Sequence, residues 1–375
     1  MKMSKRFVAL QLAALMILAA CQEAPHQEAP QQEAAQQQGV EATSKIPVKV
    51  VIVAMFDSGA ATAAGAGEFN RWVSRTPLDE KLDFKLTGQE LRINREKGVL
   101  GVVTGIGTIK ATSTIMALGL DERFDLSKAY WLIAGISGID PADGSIGSAA
   151  WAEWIVDGDL AHHIDAREMP DDWSTGYFPL RRDKPYEAPR PPAEKGHVFQ
   201  LNPDLANWAY QLTKDVKLED TENMQKHRAH YTGHPKAQRP PFVLKGDHMA
   251  AMTYWHGEKM NEWANGWVSY WTEGKGNFVT SAMEDSGSFY ALKMLENVGR
   301  ADTQRVMVLR TASNYTVQSP GSTAEESLNG IKLSPEIASA GFQPSLEAAY
   351  QVGVVVVDEL LATWDVAKDT PPAVK

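Results

Sequence analysis

Short runs of β-branched residues alternate along this chain with segments of helical length, and this alternation limits the fold more than any other feature. The run at 46–54 (IPVKVVIVA) is bounded by turn residues and predicts a buried strand. Further strands are predicted at 91–94, 99–104, 130–134, 148–156, 278–283 and 305–310. Helices are predicted after 107, at 286–298 and from 344 onward. We therefore expect an α/β fold, a three-layer sandwich with a mixed, mostly parallel central sheet.

A proline-rich stretch at 165–241 interrupts the alternation. It contains one predicted helix, at 203–216, and otherwise few periodic segments. We interpret it as an elaboration inserted into the core fold. A lid, a contact between subunits and a plain surface excursion all stay open as its role.

The acidic balance and the single cysteine exclude several classes of protein. The chain has 375 residues, a formal net charge of −10 and one cysteine. General affinity for nucleic acid needs a surplus of Lys and Arg, so no nucleic-acid partner is expected. One cysteine allows neither a disulfide framework within the chain nor a multi-cysteine metal site.

The N-terminal residues have the pattern of an export signal. Lys2, Lys5 and Arg6 precede an apolar stretch at 7–20, which is too short for a spanning helix. The stretch ends in LAAC and resembles the bacterial lipoprotein processing site, which would make Cys21 the lipidated first residue of the mature chain. An incidental cysteine is the alternative. We expect a signal peptide at 1–20, a lipidated tether at 21–44, a domain at 45–366 and a tail at 367–375.

An exported lipoprotein without Asp after its cysteine is expected at the outer membrane, facing the periplasm, because Gln22 occupies that position. Contact with the membrane is then expected through the lipid anchor only.

Polar or glycine-rich segments follow three predicted strands, where α/β proteins bind ligands. Thr104-Gly105-Ile106-Gly107 lies between a strand and a helix, and its backbone N–H groups could approach an anion or a sugar; a tight turn explains it equally well. Glu284, in SAMED, could accept hydrogen bonds from a sugar diol or complement the dipole of a helix. Asn314, in RTASN, could pair with a heterocyclic base or form a turn.

Histidine and tryptophan clusters have simpler interpretations. His227, His230 and His234 have spacings compatible with metal binding, but the surrounding Gly and Pro favour a loop, and we expect no metal. Tryptophans at 255, 263, 267 and 271 recur at multiples of four, which is typical of a helix face packed in a core.

Several long blocks resemble the purine nucleoside permease family. They are KVVIVAMF, TGIGTIKATSTIMALGLD, AYWLIAGISGIDPADGSIGSAAWAEWIVDGDL, TYWHGEKMNEWANGW, GNFVTSAMEDSG and VLRTASNYTVQSPG. The similarity runs from about 45 to about 364. This family in turn resembles the nucleoside phosphorylase superfamily, which shares a G-I-G turn, a Met-Glu pair and an S-[DN] pair in this order. The resemblance implies a nucleoside phosphorylase-like fold.

The resemblance also implies roles for individual residues. Glu284 and Met283 would bind the ribose hydroxyls, and Asn314 would hydrogen-bond the purine ring as it leaves. Thr104, Gly105 and Gly107 would face the anomeric carbon. Ser313 and Phe278 are further candidates for contact with the substrate. Asp57, Gly59 and Glu68 mark the loop where relatives contact phosphate or water.

Two functions stay open at this point. The first is a purine nucleoside-binding protein that cleaves the N-ribosidic bond by phosphorolysis or hydrolysis, with Glu284 and Asn314 as catalytic residues. The second is a non-catalytic binding component of nucleoside uptake. Asn at 314 cannot act as the general acid that Asp supplies in hydrolytic relatives. Neither metal nor organic cofactor is expected, inorganic phosphate is an open co-substrate, and a homo-oligomer is compatible with the resemblance.

Overall fold

The central sheet of the molecule is built on strands whose two faces are both apolar. A computed structural model of the chain describes residues 44–57, 67–193 and 196–374. Cys21 and Gly59 lie outside the described residues, as do the predicted signal peptide and nearly all of the predicted tether. Residues Lys45–Lys375 form one compact unit.

Strands and helices alternate over parts of the chain, as expected from the sequence, but the described residues between 120 and 202 form a run of strands. In chain order the strands are β1 Ile46–Pro47, β2 Val50–Ala54, β3 Glu80–Lys81, β4 Leu91–Asn94, β5 Val99–Val103, β6 Phe124–Asp125, β7 Tyr130–Ile139, β8 Ala149–Trp151, β9 Trp154–Asp157, β10 Ala161–His163, β11 Tyr177–Pro179, β12 Val198–Gln200, β13 Val243–Lys245, β14 Asp247–Ala250, β15 Phe278–Ala282 and β16 Val306–Tyr315. The helices are α1 Glu68–Arg75, α2 Thr108–Gly119, α3 Pro203–Thr213, α4 Glu222–Ala229, α5 Glu258–Trp271, α6 Asp285–Glu296, α7 Ala324–Leu328, α8 Pro335–Ala338, α9 Phe342–Ala362 and α10 Trp364–Ala367.

Most strands join one large mixed sheet, in the order β12-β9-β14-β15-β7-β2-β5-β4-β3, to which β16, β8 and β13 add a branch. Strand β7 is the centre, since it pairs in parallel with both β2 and β16 and, near its end, antiparallel with β15. Antiparallel pairs also close the edges at β3–β4 and β9–β12. The expected α/β class with a large mixed sheet is confirmed.

Alternate residues of β2 enter separate cores, as the period of two in a strand requires. Val51 and Val53 pack with residues of α2 and α6 on one face, while Val50 and Ile52 pack with residues of α1, α3 and α9 on the other. Both faces of the sheet are therefore covered by helices, which makes the three layers that the sequence predicts.

Several predicted boundaries differ from the observed ones. The predicted strand 46–54 is interrupted at Val48 and Lys49, and the predicted strand 148–156 is two strands, β8 and β9. Strand β7 continues five residues past the predicted end, through Gly135 and Gly138. Strand β16 continues past Arg310 to Tyr315, and helix α9 runs through Gly353 without a break.

The proline-rich stretch 165–241 contributes to the core fold. Its strand β12 forms an edge of the main sheet on β9, and its helix α3 packs with α9 in the core on one face. The predicted helix 203–216 corresponds to α3, which ends at Thr213. His227 lies in helix α4 and is buried, whereas the sequence favoured a loop there. Residues 165–241 are therefore more than a surface excursion, because they supply a strand of the main sheet and helices that pack on it.

Two further predictions concern the tryptophan face of α5 and the C-terminus. The tryptophan face is confirmed as core, because Trp263, Trp267 and Trp271 of α5 are buried together. Ala367, where the tail was expected to begin, is buried, and its carbonyl accepts hydrogen bonds from Tyr130 and Arg305. Among the described residues, no helix combines the length and the apolar character that crossing a membrane requires.

Candidate functional site

A pocket of about 190 Å³ lies where β2 and β15 end, beside the outer halves of β7 and β16. It is bounded by side chains from several separate segments of the chain. The residues that line it are Met55, Phe56, Glu68, Ile106, Ile136, Ser137, Gly138, Tyr254, Ser281, Ala282, Met283, Glu284, Arg310, Ser313 and Asn314. Five of the predicted site residues therefore meet here: Glu68, Met283, Glu284, Ser313 and Asn314.

Glu284 stands at the junction between β15 and α6 with its carboxylate anchored from three directions. The backbone N–H of Gly107 donates to Oε1 at 3.0 Å, and that of Met283 donates to Oε2 at 3.2 Å. Arg310 Nη2 also donates to Oε2, at 3.2 Å. These bonds hold the side chain at the pocket wall. A carboxylate oxygen has lone pairs for more than one donor, so Glu284 can still accept hydrogen bonds from a bound hydroxyl.

Arg310 is the central cation of the site, and it is only 1% exposed. Its Nη2 donates to Asp285 Oδ2 at 2.6 Å and its Nε to Oδ1 at 3.2 Å, a bidentate pair. Nη1 donates to the carbonyl of Ile136 at 3.1 Å. Burial would raise the pKa of Asp285, but the charges of Arg310 and His248 hold that pKa well below its usual range. The arginine is thus the shared cationic partner of two buried acidic side chains, Glu284 and Asp285.

Arg310 was not among the site residues predicted from the sequence. The signal that could have found it is a cation in an otherwise apolar strand, VMVLRT. A charged residue in such a place is almost never fully buried unless it is paired. Its partners Glu284 and Asp285 come from another segment, which a search for local motifs does not connect.

Glu68, the first residue of α1, is the second carboxyl group that faces the pocket. The N–H of Met55 donates to its Oε2 at 2.7 Å, and the N–H of Ile136 donates to its Oε1 at 2.8 Å. Burial, which leaves the residue 4% exposed, raises its pKa to about 7 in spite of Arg310 and these two N–H donors. Near neutral pH this group exchanges a proton easily, which suits it to accept one from water.

Gly135 makes the close approach of these groups possible. A Cβ atom at this position would lie 2.5 Å from Glu68 Oε1 and 2.8 Å from Arg310 Nη1. Both distances are shorter than van der Waals contact, so any larger residue here would displace one of the two side chains. The site therefore requires glycine at position 135 of β7.

Asn314 owes its orientation to a bulge in β16. The pairing of β16 with β7 shifts between Ala312 and Asn314, so Ser313 is the extra residue. Ser313 Oγ lies 2.9 Å from Asn314 Oδ1 and 3.1 Å from the carbonyl of Ser137, and Asn314 Nδ2 donates to the carbonyl of Tyr315 at 3.1 Å. One hydrogen of the Asn314 amide stays available to the pocket.

Other predicted residues lie elsewhere. Thr104 pairs its N–H with Ala54, which extends the sheet, and its buried side chain turns inward to the carbonyl of Gly105 rather than to the pocket. Gly107 contacts the site through its N–H, whereas Gly105 does not line the pocket. Asp57 lies at the last described position before 67 and also does not line it.

Phe278 was expected to contact the substrate, but it does not line this pocket. It begins β15, and four residues of extended strand place it roughly 13 Å from Ala282 at the pocket end. Its ring packs instead against Trp255 in the tryptophan core, with ring centroids 6.0 Å apart.

The part of the chain that the structure describes contains no group of three or more His, Cys, Asp or Glu side chains that could hold a metal ion. His227 lies on the inner side of α4 and packs against Tyr315, with ring centroids 5.7 Å apart. The neighbouring His230 and His234 do not join it in such a group.

Comparison with known proteins places the whole domain in one family. The chain is 29% identical over 331 residues to a Schizosaccharomyces pombe protein described as a probable purine nucleoside permease, covering 84% of this chain and 90% of that one. It is also 29% identical over 268 residues to a Candida albicans purine nucleoside permease, covering 70% of this chain and 64% of that one.

Solved structures similar to this chain include two from Helicobacter pylori. Futalosine hydrolase superposes with a TM-score of 0.48 at 14% identity, covering 84% of this chain and 98% of that one. A 5'-methylthioadenosine/S-adenosylhomocysteine nucleosidase superposes with a TM-score of 0.48 at 13% identity, covering 84% and 100%. The model of the family described as purine nucleoside permease (NUP) matches residues 47–371, and the chain belongs to that family.

Proposed function

We propose that the pocket binds a purine nucleoside and that the protein hydrolyses its N-ribosidic bond. The observation that carries the proposal is the pair of buried carboxyl groups, Glu68 and Glu284, that face one pocket with Arg310 beside both. The family and the names of its relatives supply the ligand class. The geometry supplies a reason for cleavage in addition to binding.

Each carboxyl group has a distinct role in this scheme. Cleavage passes through a ribosyl centre with oxocarbenium character, and Glu284, bonded to the sugar hydroxyls, stabilises the developing positive charge. Glu68 takes a proton from a water molecule whose oxygen attacks C1'. The C1'–N9 bond breaks and its electron pair leaves with the base. The products are free ribose and the purine.

Asn314 acts on the leaving group. Its free amide hydrogen donates to a ring nitrogen of the purine and stabilises the negative charge that develops there. Since an amide cannot give up a proton, the base takes its proton from solvent after the bond has broken. This mode suits a 6-oxopurine, which is the better leaving group as an anion, more than adenine.

The charges at the pocket favour water over phosphate as the acceptor. Two of the described lining residues carry carboxyl groups, and Arg310 already donates to Glu284, Asp285 and the carbonyl of Ile136. The segment 58–66 contains no Lys, Arg or His. A phosphate dianion here would meet like charges without a free cationic partner, which is costly in a buried site.

The test is the release of free base by the purified protein from inosine, guanosine and adenosine, with and without phosphate. We expect free base and ribose in phosphate-free buffer, with inosine and guanosine faster than adenosine. Ribose 1-phosphate as the product would contradict hydrolysis. No base from any nucleoside would contradict cleavage.

A second candidate function is binding for uptake without cleavage, and the name of the family favours it. It requires the same pocket with tight nucleoside affinity and no turnover. Calorimetry that shows saturable binding, together with unchanged nucleoside after prolonged incubation and reduced uptake in a deletion strain, would support this function over hydrolysis.

We also propose that the protein is an exported lipoprotein anchored through Cys21. The LAAC pattern after a basic and apolar leader supports this proposal. The measurement is incorporation of labelled fatty acid in a bacterial host by the natural chain and by Cys21→Ser. Equal labelling of both would contradict the proposal.

A further inference from the structure

A second cavity, of about 320 Å³, adjoins the nucleoside pocket. Tyr254 and Asn314 line both spaces, so the two cavities meet at the side chain that faces the purine in the proposed function. This volume is far larger than the roughly 30 Å³ that a single water molecule occupies. There is therefore room for a chemical group beyond Asn314.

The inner wall of this cavity is aromatic and well ordered by hydrogen bonds. Tyr231 and Tyr315 pack against each other with ring centroids 3.8 Å apart and ring planes tilted by 38°. The Tyr231 hydroxyl donates to the carbonyl of Val317 at 2.9 Å, and the Tyr315 hydroxyl donates to that of Ala237 at 2.9 Å. Both hydroxyl hydrogens are thus used in bonds to the backbone, so other groups must donate or accept hydrogen bonds with a ligand.

Two imidazoles supply such groups. His227 Nδ1 and His256 Nε2 are buried and have no hydrogen-bond partner among the described residues, although both histidines line the cavity. Burial lowers the pKa of His227 to about 4 and also lowers that of His256. Each ring is therefore neutral near pH 7 and has one nitrogen that acts as an acceptor. A buried polar atom without a partner is costly unless a ligand or water satisfies it.

The outer wall is a loop at 319–333 that is held by contacts between its own residues. Thr323 caps helix α7 with a capping box to Glu326, and Lys332 binds Glu326 at 2.8 Å and the carbonyl of Gly321 at 2.8 Å. Glu326 and Lys332 thus satisfy each other and leave the cavity without net charge from this pair. The cavity suits a neutral, hydrogen-bonding group better than an ionic one.

The position of the cavity decides where on the ligand this group would sit. N7 of a purine and the substituent at C6 lie on the same edge of the base. If Asn314 donates to that edge, the C6 substituent points past Asn314 toward the second cavity. We propose that this cavity is a subsite for purine nucleosides whose C6 amino group carries a short hydroxyl-bearing chain, with the hydroxyl donating to His256 Nε2 and accepting from His227 in its Nδ1–H tautomer. The proposal rests on the proposed function.

The test is displacement of radiolabelled adenosine from the purified full-length protein in the cold. Three competitors are compared: adenosine, N6-(2-hydroxyethyl)adenosine and N6-propyladenosine, the last two being nearly equal in size. We expect both N6-substituted nucleosides to bind, with the hydroxyethyl compound about tenfold tighter than the propyl compound, because it satisfies a buried acceptor.

The variants His227→Phe and His256→Phe remove the ring nitrogens and keep an aromatic ring. Each is expected to abolish or sharply reduce the preference for hydroxyethyl over propyl while adenosine binds within about twofold of the natural protein. Two histidines in separate segments are tested so that misfolding of one variant does not end the experiment.

Three outcomes would overturn the inference. Adenosine binding with exclusion of both substituted nucleosides shows a closed cavity, and equal affinity for the two shows no hydrogen-bonding subsite. A preference for the hydroxyethyl compound that persists in both variants shows that the histidines do not bind the hydroxyl. Failure of adenosine to bind overturns the subsite, and failure of inosine to bind as well overturns the proposed function.

Discussion

Arg310 and Glu68 show how single side chains determine what the pocket can do. Arg310 is shared by Glu284 and Asp285, and His248 Nε2 lies 2.9 Å from Asp285 Oδ2 on the other side. Among the described residues Glu68 makes no direct ion pair; it receives two backbone N–H groups, and Arg310 acts on it only at longer range. The buried carboxyl groups thus differ in their partners, and the one without a direct ion pair has the pKa suited to proton transfer.

Glu68→Gln is expected to remove a pH dependence from the stability of the protein. The pKa of Glu68 is raised from 4.5 to about 7 by burial, so the folded state binds the proton more tightly. The resulting stabilisation, about 3 kcal/mol in all, is complete below pH 4.5 and is lost as the pH rises through about 7. Denaturant unfolding of both proteins across this range measures the difference.

The exposed residue Glu168 provides the matched control for this prediction. Glu168→Gln should follow the natural protein at every pH. A difference between Glu68→Gln and the natural protein that stays constant over the range would show that Glu68 does not titrate there. Cleavage should weaken over the same range as the pH falls, because protonated Glu68 cannot take a proton from water.

Arg310→Met is expected to lower the free energy of unfolding by about 3–5 kcal/mol, because it leaves buried carboxylates without their cation. Adding Asp285→Asn removes one of these charges, so the double variant should recover part of the loss. Urea unfolding measures the loss of stability in the single variant and its partial recovery in the double variant. Additive losses would mean that Arg310 and Asp285 do not form a coupled pair.

At the scale of elements, glycines in α9 and β7 act through the space they leave. The sequence marks Gly353 as a weak point in the terminal helix, yet α9 is continuous there. A Cβ at 353 would lie 2.9 Å from Cη2 of Trp72 in α1. The glycine therefore lets two helices approach, and its cost to the helix is offset by this packing.

Gly353→Ala is accordingly expected to destabilise the protein, although alanine is the better helix former by about 1 kcal/mol. Overpacking against Trp72 costs about 1–3 kcal/mol and outweighs that gain. Thermal unfolding of the single variant and of Gly353→Ala with Trp72→Phe tests this reasoning, since the smaller ring gives the new methyl group room. A more stable single variant would contradict it.

The limits of prediction from the sequence follow from what holds each strand. Strand β2 is apolar along its length, and its existence is evident from VVIVA. The ends of β7 and β16 carry Gly, Ser and Asn, which indicate turns when read locally. These segments stay extended because β7 and β16 pair with each other along their whole length, a non-local contact that a local pattern does not contain.

The same limit applies to the site. Glu284, Met283, Ser313 and Asn314 were identified because each belongs to a recognisable block. Arg310 was overlooked and Phe278 was misplaced, since the first depends on partners from another segment and the second on which end of β15 faces the pocket. The bulge at Ser313, which orients Asn314, also leaves no simple signature in the sequence.

At the scale of the whole molecule, the proline-rich stretch joins the fold to the site. It supplies β12 at the sheet edge, α3 on the helical face and, through His227 and Tyr231, the wall of the cavity beyond Asn314. A segment that looked like an addition to the core therefore contributes both to stability and to the proposed specificity for the base.

The central claim is that Glu284 and Glu68 make this pocket a purine nucleoside hydrolase. The most direct measurement is free-base release from inosine in phosphate-free buffer by the natural protein, Glu284→Gln and the surface control Glu168→Gln. We predict release by the natural protein and the control, and a rate at least about a hundredfold lower in Glu284→Gln, as for loss of a preorganised electrostatic group. No release without phosphate, or an unchanged rate in Glu284→Gln, would contradict the account.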